Sequence, residues 1–205
     1  MGDTDWTAEE SLFAAESSYA ESIVRSAIGD HEASIASLRV ALEVLPTYAP
    51  AILALGSIDY QLGRVEEGCS RLLSLVDLPD DTADLAEIID AAGDFLIGER
   101  DYRHGLELYE RAVARFPELV VLYQGVSCCA GHVGQPELAV TACEEASRRA
   151  PDDQQVRNDL GWSLVEAGRL EEALAHLQVA VRMDPDDALA AENLRWCREA
   201  LGEQP

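Results

Sequence analysis

Apolar and small residues recur along this chain at spacings of three and four, and the pattern itself returns after 34 positions, as Pro117, Pro151 and Pro185 mark. With each unit numbered 1 to 34 and the proline at position 32, position 7 holds Leu55, Ala92, Val126 and Leu160. Position 8 holds Gly56, Gly93, Ser127 and Gly161. Such residues predict a first helix that nearly touches a second. In the second half, position 20 reads Gly68, Gly105, Ala139 and Ala173, position 24 reads Leu72, Tyr109, Cys143 and Leu177, and position 27 reads Leu75, Ala112, Ala146 and Ala180. Small, large and small at those intervals predicts one face of the second helix. Gly63, Gly134 and Gly168 stand between the halves, where a helix must stop before the next begins.

These columns resemble the tetratricopeptide repeat family, built from 34-residue helix-turn-helix units. Gln154 to Asp187 fits best, with Leu160-Gly161, Leu164, Gly168, Ala173, Leu177, Ala180 and Pro185 in place. The resemblance implies an all-α fold, a right-handed superhelical α-solenoid forming a single domain over 1–205. Its units fall at 15–48, 49–82, 86–119, 120–153 and 154–187, with a capping helix at about 188–201. Two places depart from the pattern. Thr82 to Leu85 contains a three-residue slip, and Glu21 and Arg25 occupy columns that should be apolar, although Gly29, Leu38, Ala41 and Pro46 fit. At the ends, Thr7-Ala-Glu-Glu10 is a capping box that starts a helix running through Ala27. Asp187 is placed to cap a last helix carrying Leu189, Leu194 and Trp196 and stopping near Gly202.

Composition removes several chemistries. All 15 basic residues are Arg. Without Lys there is no P-loop, no pyridoxal Schiff base and no kinase-type phosphate clamp. The four histidines form no HExxH motif, and no GxSxG or Ser-His-Asp order is present, so the reading is a non-enzyme without cofactors. The net charge of -24 is spread over the units rather than gathered in a tail. It repels phosphate backbones and anionic lipid and favours a neutral to basic protein partner over nucleic acid or a membrane.

No apolar run approaches a membrane span, and Met-Gly-Asp-Thr-Asp-Trp at the start has neither a basic segment nor an apolar core; a cytoplasmic location is the expectation. Cys69, Cys128, Cys129, Cys143 and Cys197 fall on expected helices, where thiols act as small hydrophobes of a reducing compartment. Nothing in the chain fixes its oligomeric state.

In the family, the first helix of each unit lines a concave groove through positions 2, 5, 9, 12 and 13. The resemblance therefore implies a partner-binding groove that includes Tyr19, Tyr60, Glu87, Asp90, Asp94, Gln124, Cys128, His132, Asn158 and Trp162. Its middle is acidic, and it contains no Arg. Members that hold the acidic tail of heat-shock chaperones use cationic side chains as a clamp for the terminal carboxylate, and Glu87, Asp90 and Asp94 would repel that ligand. An Arg- or Lys-bearing peptide or helix suits the groove instead, with Tyr60 and Trp162 offering cation-π faces. A weak metal candidate combines Asp94, Cys128 and His132, the last two four residues apart. The expected function is an interaction scaffold or adaptor. The alternative is a chaperone for an exported client, similar to the tetratricopeptide chaperones of secretion systems.

Overall fold

The computed structural model describes residues 6–202; Met1 to Asp5 of the start read for targeting signals, and residues 203–205 of the expected domain, lie outside the described residues. Eleven α-helices and no strand occur among the described residues. In order they are α1 (Ala8–Ala27), α2 (His31–Val44), α3 (Ala49–Gln61), α4 (Val65–Leu73), α5 (Leu85–Gly98), α6 (Tyr102–Arg115), α7 (Val120–His132), α8 (Pro136–Arg149), α9 (Gln154–Glu166), α10 (Leu170–Met183) and α11 (Ala188–Ala200). They form two compact units, divided between Phe95 and Leu96 inside α5.

Helix boundaries follow local chemistry. Thr7 and Glu10 form the expected capping box at α1, and Asp187 accepts from the amides of Leu189 and Ala190 at the start of α11. Asp30, Asp101 and Asp153 cap α2, α6 and α9 in the same way. The turns that leave α1, α3, α7 and α9 each place a glycine at positive φ, between 74° and 83°, at Gly29, Gly63, Gly134 and Gly168. Between α5 and α6 the same turn position is filled by Arg100, at φ 61°.

In the first unit α1 packs on α2, α2 on α3 and α3 on α4, around Ala15, Leu38, Ala41, Ala51 and Leu55. The small residues of positions 8 and 20 are demanded by distance: a Cβ on Gly68 would stand 2.7 Å from the backbone nitrogen of Tyr60 and 2.8 Å from the carbonyl oxygen of Gly56. Asp59, 4% exposed, accepts from Arg64 at 2.6 Å and Arg71 at 3.4 Å. The slip near Thr82 has a visible form. α4 ends early at Leu73, a single 3-10 turn spans Ser74–Asp77 with Leu75 and Val76 still buried, and Asp84 takes φ 51° just before α5.

The misfit columns of the first helix do not interrupt it: Glu21 and Arg25 pair at 3.0 Å on its exposed side. Polar side chains do not cover all of α1: Phe13 and Val24 are 71% and 61% exposed, as is Ile28, its C-cap, at 71%.

In the second unit, α6 through α11 pack consecutively. Val140, Cys143, Leu160, Leu164, Leu177 and Leu194 are central to the core. A Cβ on Gly161 would lie 2.6 Å from Cγ of Leu177. The position-24 residues Tyr109, Cys143 and Leu177 are at most 1% exposed, as is Leu72 in the first unit. Two of the proline turns are braced from six residues on: Tyr123 donates to the Pro117 carbonyl at 3.0 Å, and Arg157 to that of Pro151 at 2.7 Å.

Candidate functional site

In the second unit the 34-residue period brings equivalent first helices side by side, with α9 touching both α7 and α11. Three contacts with nearly that spacing cross the seams. The Gln124 side-chain amide donates to Oδ2 of Asp159 at 3.1 Å, and 35 residues on from Asn158, Asn193 donates to its Oδ1 at 3.1 Å. Trp162 and Trp196 meet edge to face, with ring centroids 5.8 Å apart. Carboxamide, carboxylate and indole thus occur together along the first helices of this unit. Asn158 is buried, Gln124 and Trp162 are half-buried, and Trp196 is 49% exposed.

Asp159 occupies position 6, outside the five columns that the resemblance supplies, and so is not among the sequence candidates. Its available signal was an acid in a column that holds Gly125 one unit earlier. Burial raises its carboxyl above the usual carboxylate range, against the opposing hydrogen bonds from Gln124 and Asn158. The groups that surround it are amides and a second carboxylate, Asp153.

Cys128 and His132 lie one turn apart on α7, both exposed. The His132 ring stacks on Tyr102, centroids 3.9 Å apart and 15° from parallel, so an aromatic neighbour covers one face of the imidazole. Asp94, the third member of the weak metal candidate, stands on the first unit. Among the thiols, Cys128 alone is exposed, while Cys69, Cys129, Cys143 and Cys197 are buried. Burial pushes the Cys129 thiol up to about 12. Cys143 is also raised, mainly by burial, and lies in a buried trio with Ser127 and Ser163.

On the first unit, Tyr19 meets Tyr48 edge to face at 5.7 Å and Tyr60 meets Phe95 at 5.6 Å, so both tyrosines are engaged in packing contacts. Glu87 and Asp94 are exposed on α5 and Asp90 is half-buried one turn before Asp94. No helix among the described residues is long and apolar enough to cross a membrane.

A family model described as tetratricopeptide repeat matches residues 132–188. The small glutamine-rich tetratricopeptide repeat-containing protein 2 of Mycosarcoma maydis is 27% identical over 116 residues, 57% of this chain. That match spans 33% of the fungal protein's length. Among solved structures, YrrB, described as a TPR protein with an unusual peptide-binding site, superposes with a TM-score of 0.63 at 17% identity, covering 88% of this chain and 92% of YrrB. The first TPR of Spaghetti (RPAP3), bound to the HSP90 peptide SRMEEVD, gives a TM-score of 0.54 at 18% identity over 58% of this chain and 94% of that one. At these identities the structural likeness concerns the fold.

Proposed function

We propose that this chain, a tetratricopeptide repeat protein, is an interaction scaffold or adaptor that binds a peptide or helix of a partner protein along its first helices. The observation that carries the reading is the row formed by Gln124, Asp159, Asn158 and Asn193 beside the Trp162–Trp196 pair. Carboxamides can meet a peptide backbone as donor and acceptor at once, and half-exposed indoles take its side chains. Binding rather than catalysis suits such groups. The net charge of -24, with Glu87, Asp90 and Asp94 on α5, favours a neutral to basic partner in the cytoplasm over an acidic tail such as SRMEEVD. The residues expected to carry the contact are Tyr19, Tyr60, Glu87, Asp90 and Asp94 on the first unit, and Gln124, Cys128, His132, Asn158 and Trp162 on the second.

The test is affinity capture with quantitative mass spectrometry, comparing the full chain with Asn158→Ala/Trp162→Ala and with Asp90→Arg/Asp94→Arg. A client whose recovery falls at least about tenfold in both variants supports the reading; equal recovery of every client overturns it. A second reading, a holding chaperone for an exported client, draws support from the exposed Phe13 and Val24 of α1 and Ile28 at its C-cap. Suppression of client aggregation at a one-to-one ratio, lost in Phe13→Ser/Val24→Ser, separates it from an adaptor that bridges two folded proteins.

A further inference from the structure

The two units treat a sheltered carboxylate in opposite ways. Asp59 is held by two guanidinium groups, Arg64 and Arg71. Asp159 is half-buried and accepts from the amides of Gln124 and Asn158 alone, with no cationic side chain paired to it among the described residues. A sheltered anion without a counter-ion is unfavourable unless something else is gained by keeping it. One helical turn along α9 is Trp162, half-buried and edge-on to the more exposed Trp196. Residues three apart on a helix are surface neighbours, so carboxylate and indole occupy adjoining places.

We infer that Asp159 and Trp162 form an anchor site for one arginine side chain of the partner, resting on the scaffold reading above. The planar guanidinium is the group that suits both walls. Its N–H fork can pair with the carboxylate oxygens, and its face can lie on an indole. Gln124 and Asn158 are positioning residues that hold the half-buried carboxylate by hydrogen bonds. An ammonium can satisfy the charge without the stacking, which sets arginine above lysine. Asp159 is thereby the residue that determines specificity, and the carboxamides serve the backbone of any bound segment.

The test uses the full-length protein and N-acetylarginine amide, with N-acetyllysine amide and N-acetylcitrulline amide as controls. Citrulline keeps the shape and removes the charge. The readout is the indole N–H resonances of Trp162 and Trp196, with Trp6 as an internal reference among the three tryptophans. Saturable shifts confined to Trp162 and Trp196, about tenfold weaker with citrulline and lost in Asp159→Asn, are expected. An equal response to citrulline, no response, or an unchanged response in Asp159→Asn overturns the anchor. Selection of displayed random peptides on the same protein separates this from the parent reading. Peptides enriched in arginine on the native chain, with the enrichment lost on Asp159→Asn, support the anchor; capture without arginine enrichment sinks the anchor and leaves the scaffold intact. Failure to capture any peptide removes the scaffold reading itself, and the anchor with it.

Discussion

Gly125 and Tyr109 are in register so tightly that a Cβ on the glycine would lie 2.4 Å from the tyrosine ring. Tyr109 is 1% exposed, so its ring has nowhere to withdraw. Gly125→Ala gains about 1 kcal/mol in helix propensity. Overpacking exceeds that gain, and a net loss of about 1–3 kcal/mol in urea unfolding is expected. Tyr109→Leu, the residue type found at Leu72 and Leu177, restores part of the loss when combined with it. No interaction energy between the two substitutions would show that the ring is not the obstacle.

Arg100 stands where four other turns have glycine, with φ 61°. A left-handed conformation costs a side-chain-bearing residue about 1–2 kcal/mol, and the greater freedom of glycine in the unfolded chain returns part of this. Arg100→Gly is therefore expected to gain about 0.5–1 kcal/mol in the same assay, whereas Gly134→Ala loses stability. A loss with Arg100→Gly would mean that the arginine side chain contributes more than its turn costs.

Asp159 gives the pH dependence a definite sign. Because burial raises its folded-state carboxyl, the stability that its proton supplies is fully present below the ordinary carboxylate range and lost as pH climbs through the raised value. Asp159→Asn removes this contribution. Thermal unfolding across pH 3 to 7 should show the native chain losing ground against the variant as pH rises, with the variant at least as stable at neutral pH. The reverse trend would place a cation beside the carboxylate.

Thiol reactivity reports the same burial pattern. Cys128 is exposed, while burial pushes Cys129 up to about 12 and also raises Cys143. One fast equivalent is expected with a neutral disulfide reagent under native conditions and five after unfolding, and Cys128→Ser removes the fast one. Rapid labelling in Cys128→Ser would reveal local opening around one of the four buried thiols.

What could be read from the sequence divides along physical lines. Columns whose residue type is dictated by contact, such as Gly68 against the Tyr60 backbone or Gly161 against Leu177, carry their meaning in one letter. The capping box at Thr7 and the cap at Asp187 are local and equally readable. Arg100 hid a turn because its conformation is imposed by the helices on either side rather than by its own preference. The early end of α4 at Leu73 hid too, since Leu75 and Val76 remain apolar and buried in either helix type. Asp159 is invisible for a third reason: an acid on a helix looks solvated until its neighbours, 35 residues back at Gln124 and one back at Asn158, are known.

The steps from Gln124 to Asp159 and from Asn158 to Asn193 are both 35 residues, one more than the repeat. Excising residues 154–187 as a block would bring Asn193 to the place of Asp159, opposite Gln124, and Trp196 to the place of Trp162. A carboxamide would again meet a carboxamide, an indole would again stand one turn along, and the lost carboxylate would be the chief chemical change. The bonding rule thus joins consecutive units and is indifferent to how many units the chain carries. Duplication or loss of a whole unit can lengthen or shorten this face without redesigning a seam, leaving selection to act on the letter at position 6.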